Sequence, residues 1–152
     1  MTTTLTPPAR NATTTTVVAE RLKADPAYQA FWLLRIAFTV APIAFGLDKF
    51  FHVLVNWDLY LAPRINSIVP GTAHQAMYAV GVIEIVAGLV VALRPRFGGY
   101  LVAAWLAGII VNLLLIPGFY DIALRDFGLL LAALTLARLA TAFPSPRPVR
   151  QV

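Results

Sequence analysis

Four stretches of mostly apolar residues, 30–51, 73–93, 98–116 and 120–142, take up most of this chain. Each is close to the ~20 residues a helix needs to cross the apolar layer of a bilayer. Helices of a soluble bundle keep a polar outer face, whereas these segments are apolar nearly all round. The sequence therefore predicts an all-α fold, a four-helix transmembrane bundle. Composition agrees: 59% of residues are hydrophobic and 12% charged, where a soluble domain carries about a quarter. The breaks "APRINSIVPGT", "RPRFGG" and "PGFYD" hold the helix-breaking residues. The 152 residues read as one membrane domain, 29–142. A Thr-rich tail, 1–28, expected to be disordered, precedes it, and a Pro/Arg-rich tail, 143–152, follows. The opening residues contain no apolar core of a signal peptide, so none is expected.

Charge placement sets the expected orientation. The net charge is +5 and the pI about 10.1, but the basic residues gather at the ends of apolar runs and form no stripe, which argues against nucleic acid as a partner. Arg10, Arg21 and Lys23 precede the first run, Arg94 and Arg96 separate the second from the third, and Arg138, Arg147 and Arg150 close the chain. The opposite side has Arg64 alone. By the positive-inside rule both termini are cytoplasmic, in a multi-pass protein of the cell (inner) membrane with a longer first extracytoplasmic loop. The basic ends suit anionic headgroups, making the lipid bilayer itself a partner. The "NAT" at Asn11 would then face the cytoplasm and carry no glycan. Trp57 and Tyr60 in the first outer loop read as interfacial anchors, with a lid over a site as the alternative.

"GVIEIVAGLVVAL", residues 81–93, places Glu84 in the middle of an otherwise apolar run. Ala73, Met77, Gly81, Glu84, Gly88 and Ala92 follow helical spacing and form a stripe of mostly small residues, the kind that lets helices approach closely in lipid. Similar stripes are Ala37, Ala41, Ala44 and Asp48 in the first run, and Ala104, Gly108 and Asn112 in the third. In the fourth, Asp121, Arg125, Gly128, Ala132 and Thr135 share a face, and Asp126 shares a second with Ala133 and Ala137. Helix packing is thus expected at Gly81, Gly88, Ala104, Gly108 and Gly128. Arg125 falls roughly 8 Å and Glu84 roughly 16 Å inside the outer boundary at ~1.5 Å per residue. A Glu84–Arg125 ion pair is predicted, in a buried polar network with Asp126, Lys49, Asp48 and Asn112, because an unpaired charge at that depth costs about 3 kcal/mol or more. A protonated, neutral Glu84 is the alternative. Such a network either locks helix register or acts on a ligand or proton.

Pro42 should kink the first helix. Arg35, off the stripe and near the cytoplasmic boundary, is expected to snorkel to the headgroups, with pairing to another helix as the alternative. His52 and His74 fall at matched depth and could ligate haem or a metal, but no further carboxylate or histidine spacing supports it, so they read as interfacial residues and no metal site is assigned. The chain has no cysteine, which removes disulfides, thiolate metal sites and iron–sulfur clusters. No phosphate loop or nucleophile motif is present, so no catalytic residue is assigned and enzymatic activity stays open.

Taken in order, "LLR", "GLDKFF", "GVIEIVAGLVVAL" and "RDFGLLLAALTLARL" resemble the DoxX-like family of small four-helix integral membrane proteins, over residues 31–140. The family pattern falls on Arg35, Gly46, Lys49, Glu84, Gly88, Arg125 and Asp126, while its glycine-rich ending is replaced here by "FPSPRPVRQV". The resemblance implies the four-helix fold and, more loosely, a link to quinones or oxidative-stress defence. It leaves two main roles as expectations. One is an accessory or scaffold subunit of a membrane assembly, with a membrane or peripheral protein partner. The other is a quinone-linked redox-associated subunit, in which Lys49 or Arg125 meets a headgroup carbonyl and Glu84 or Asp126 moves protons. With no cysteine, haem or flavin site, the second role needs an external electron carrier. A small transporter is a third reading; no inverted repeat supports it.

Overall fold

The computed structural model describes residue 20 and residues 22–143. Most of both tails therefore lies outside the described residues. Those described are all-helical, with four long helices: α1 (Pro26–Phe51), α2 (Ala73–Leu93), α3 (Pro95–Leu114) and α4 (Tyr120–Ala142). Between α1 and α2 lie a 3-10 turn, Trp57–Tyr60, and a single helical turn, Pro63–Asn66.

Local chemistry sets the boundaries. Asp25 caps α1 by accepting from the N–H groups of Ala27 and Tyr28, with Pro26 in the first helical position. The helix thus starts four residues before the expected point. Thr72 and Gln75 form a reciprocal capping box at the start of α2. Arg94 alone joins α2 to α3, and Pro95 opens the latter. Gly118, at φ 91°, turns the chain into α4.

The helices pack as two pairs, α1 on α2 and α3 on α4, which then meet through α2–α3 and α1–α4. Backbone proximity makes the α1–α2 seam. A Cβ on Gly46 would sit 2.6 Å from the Gly81 carbonyl oxygen, and one on Gly81 would sit 2.7 Å from that of Gly46. The α3–α4 seam is built likewise, with Gly99 and Ala103 against Ala133, Leu136 and Ala137. At one end Tyr28, Phe31, Trp32 and Phe143 interlock edge to face.

Three helices, α1, α2 and α3, are long and apolar enough to cross a membrane, and only 17–33% of their apolar windows is buried. The rest presents Leu33, Ile36, Val40, Val82, Val86, Leu89 and similar side chains outward, far more apolar surface than a soluble monomer exposes. The fold is compatible with a multi-pass membrane protein. The fourth helix is as long, but Asp121, Arg125 and Asp126 fall in its first two turns and Arg138 near its other end.

Several expected packing stripes are corrected. Gly81 and Gly88 do pack, as read from sequence. Ala104, Gly108 and Gly128 are exposed, and nothing lies within 4 Å of a Cβ placed on either glycine. Ala37, Ala41 and Ala44 are exposed too. On α3 the buried face is Gly99, Val102, Ala103, Leu106 and Leu113, one residue and so ~100° away from the expected stripe. A helix apolar on every side gives its small residues no unique inward direction.

Candidate functional site: a covered ion pair

Because Gly46 and Gly81 bring the backbones of α1 and α2 together, the last turn of α1 reaches the middle of α2. Lys49 crosses the seam beside Gly81 and donates to Glu84, Nζ to Oε2 at 2.6 Å. The two side chains are 4% and 11% exposed. The Glu84–Arg125 pair expected from sequence is therefore overturned: Lys49 is the partner, and Arg125 is exposed on α4. Depth alone suggested Arg125. Helix pairing decides the matter, since Glu84 lies on the face of α2 that meets α1. Asp126 is half-buried and stands within electrostatic range of Glu84 without bonding to it. Trp105 of α3 directs a buried indole N–H toward the same carboxylate but closes no hydrogen bond.

The loop after α1 covers the pair. The Lys49 ammonium lies 3.9 Å from the centre of the Trp57 ring, a cation–π contact. Asp48 fixes that ring, its carboxylate accepting from the indole N–H at 2.7 Å and from the backbone N–H groups of Val53 and Leu54 at 3.0 and 3.1 Å. Asn112 at the end of α3 straps the far side of the loop, accepting from Ala62 N–H at 2.9 Å and donating to the Tyr60 carbonyl at 2.6 Å. Asp48 and Asn112, both expected in the network, thus act on the loop and not on Glu84. Trp57 lies over the pair like a lid, a position in keeping with the alternative weighed from sequence.

Trp57→Ala should destabilise more than Trp57→Phe, by about 1–2 kcal/mol in unfolding of the detergent-solubilised protein, since Phe retains a ring face for the ammonium. Equal losses would mean that the Asp48 hydrogen bond, and not the cation–π contact, holds the lid.

At the opposite end, Arg35 pairs with another helix, the alternative to snorkelling. It donates to the Ala92 carbonyl, one of the unpaired C-terminal carbonyls of α2, and lies over the Trp32 ring at 4.8 Å. With Trp32, Ile36, Thr39, Val40 and Ala92 it lines an open cleft of about 240 Å³. Sequence spacing could not name Ala92 as the partner, because Arg35 and Ala92 lie far apart in the chain.

Beside the lid, His52 and His74 stack at 5.1 Å, and Asp58 reaches His74. Compared with protein-family models, with curated proteins and with solved structures, the chain matches none.

Proposed function

We propose that the chain is a DoxX-like, four-span protein of the inner membrane with both termini cytoplasmic, and that it serves as an accessory or scaffold subunit of a membrane assembly. The observation that carries this reading is the closed state of the polar pair. Lys49 and Glu84 engage each other, Trp57 covers them, and the donors and acceptors around them hold the loop. Charges spent in this way fix helix register and leave no group open to a substrate. In α4 the charges near the start, Asp121, Arg125 and Asp126, fall at the end next to the short outer loop, and the remainder of the helix carries Arg138 as its one charge. That pattern suits a fourth span with its polar end at the surface.

The role and the topology are tested together. In the otherwise cysteine-free protein, a cysteine at Ser67 or Gly118 should react with an impermeant thiol reagent added outside cells, and one at Arg96 should not. Labelling at Arg96 would reverse the orientation. Purification in mild detergent should retain a protein partner in fixed stoichiometry. Retention of a quinone with no protein would overturn the scaffold role.

The Arg35 cleft favours a second reading, the quinone-linked subunit, because it combines apolar walls with guanidinium N–H groups suited to a carbonyl. In that case quinone should co-purify with the wild type and be lost from Arg35→Gln.

A further inference from the structure

We propose that His52, Asp58 and His74 form a binding site for a divalent transition-metal ion of the zinc–copper class, at the end of the bundle where the α1–α2 loop closes. Three separate elements deliver these side chains. His52 is the C-cap of α1, Asp58 belongs to the 3-10 turn, and His74 lies in the first turn of α2. One donor atom from each lies within 4.8 Å of the other two. Tetrahedral zinc with bonds of 2.0–2.1 Å holds its ligands ~3.3 Å apart, so side-chain rotation closes the set without moving the helices.

Two observations beyond proximity point to a ligand. His52 Nε2 and Asp58 Oδ1 are both buried without any hydrogen-bond partner, although buried polar atoms are nearly always paired. In addition, His52 occupies the left-handed region at φ 53°, the one residue other than glycine to do so among those described. That backbone turns its imidazole onto His74, where the rings stack with 16° between planes. The local supports are those of a built site. Asn56 caps the turn bearing Asp58, and the Thr72–Gln75 box fixes the turn bearing His74.

Tyr78 supplies the outer partner, its hydroxyl 2.8 Å from His74 Nε2. With a metal bound, His74 Nε2–H donates to that hydroxyl, which leaves the Nδ1 lone pair directed at the ion beside the Asp58 carboxylate. Without a metal the other tautomer serves, the hydroxyl donating to Nε2 and Nδ1–H donating to Asp58 at 3.3 Å. Two imidazoles and one carboxylate suit zinc or copper(II), and a partly exposed His74, 46% for its side chain, leaves room for water in a fourth position. Asp58 directly follows Trp57, so the ion would clip the lid to both helices that carry the covered pair.

The test is clean because the chain contains only these two histidines. Full-length protein carrying no histidine tag is stripped with chelator in detergent and titrated with Zn²⁺ by calorimetry. The wild type should bind one equivalent. His74→Gln and Asp58→Asn should each weaken binding about 10-fold or more, and the His52→Gln/His74→Gln double variant should abolish it. Asp58→Asn changes one loop carboxylate, so its elution profile and unfolding temperature without metal serve as the folding control. With Cu²⁺, electron paramagnetic resonance should show coupling to two imidazole nitrogens in the wild type and to one in His52→Gln. Absence of saturable wild-type binding overturns the site, as does binding that the double variant retains.

Discussion

Lys49→Met alone should destabilise the detergent-solubilised protein by about 3–5 kcal/mol, less where water can enter, because it leaves the Glu84 carboxylate buried without a countercharge. Glu84→Gln should lose a similar amount by stranding the ammonium, with Trp57 still over it. The double variant, Lys49→Met with Glu84→Gln, removes both charges and should recover much of the loss, giving the large interaction energy expected of residues in contact. Arg125→Met combined with Glu84→Gln should show no such recovery, since Arg125 is exposed on α4 and makes no ion pair with Glu84. If the Lys49 and Glu84 losses simply add in chemical or thermal unfolding, the 2.6 Å pair does not carry the seam. The same variants bear on function. If a partner co-purifies as proposed, a double variant that is stable and keeps it marks the pair as structural. One that is stable and loses the partner gives the charges a role in assembly.

The glycines should divide into two groups of opposite sign. Gly46→Ala meets the backbone oxygen of Gly81 at 2.6 Å, and Gly88→Ala meets the backbone oxygen of Thr39 at 2.7 Å. Backbone cannot rotate aside, so α1 and α2 must separate, and each change should cost about 1–3 kcal/mol. Leu at either position should reduce the yield of monodisperse protein further. Gly108→Ala and Gly128→Ala meet nothing within 4 Å, and should stabilise by up to ~1 kcal/mol through helix propensity. Denaturation midpoints of the four alanine variants decide it. Destabilisation by alanine at Gly108 or Gly128 would mean that a second protein covers that face.

Span length and punctuation were enough to read the helices, because about twenty apolar residues bounded by Pro, Gly and capping residues allow little else. They could not give rotation about each helix axis. Gly81, Glu84 and Gly88 read correctly as an inward stripe because Glu84 breaks the apolar symmetry of α2. No polar residue does so in the middle of α3, and there the small residues Ala104 and Gly108 misled by one position. The polar set was legible only in part: Arg125 is exposed and Asp126 bonds to nothing in the network, and the pairing was not legible at all. Lys49, Asp48, Glu84 and Asn112 all take part in the site or its strap, yet partner choice depends on which helices are neighbours, a tertiary fact. Trp57 and Asp58 come from a loop whose path no periodicity encodes. For Arg35 a pairing with another helix could be weighed but its acceptor could not be named, since a backbone carbonyl leaves no mark in the sequence.

The covered pair also constrains how the chain is made. Lys49 precedes Glu84 by 35 residues and so leaves the ribosome first. In the four-span arrangement proposed above, Lys49 sits in the last turn of α1, near the outer surface, where an ammonium can wait in contact with water. Glu84 is mid-helix and has no such refuge when α2 enters the bilayer. Under that arrangement chain order stations the cation before the carboxylate arrives, and the second helix would meet a partner already in place.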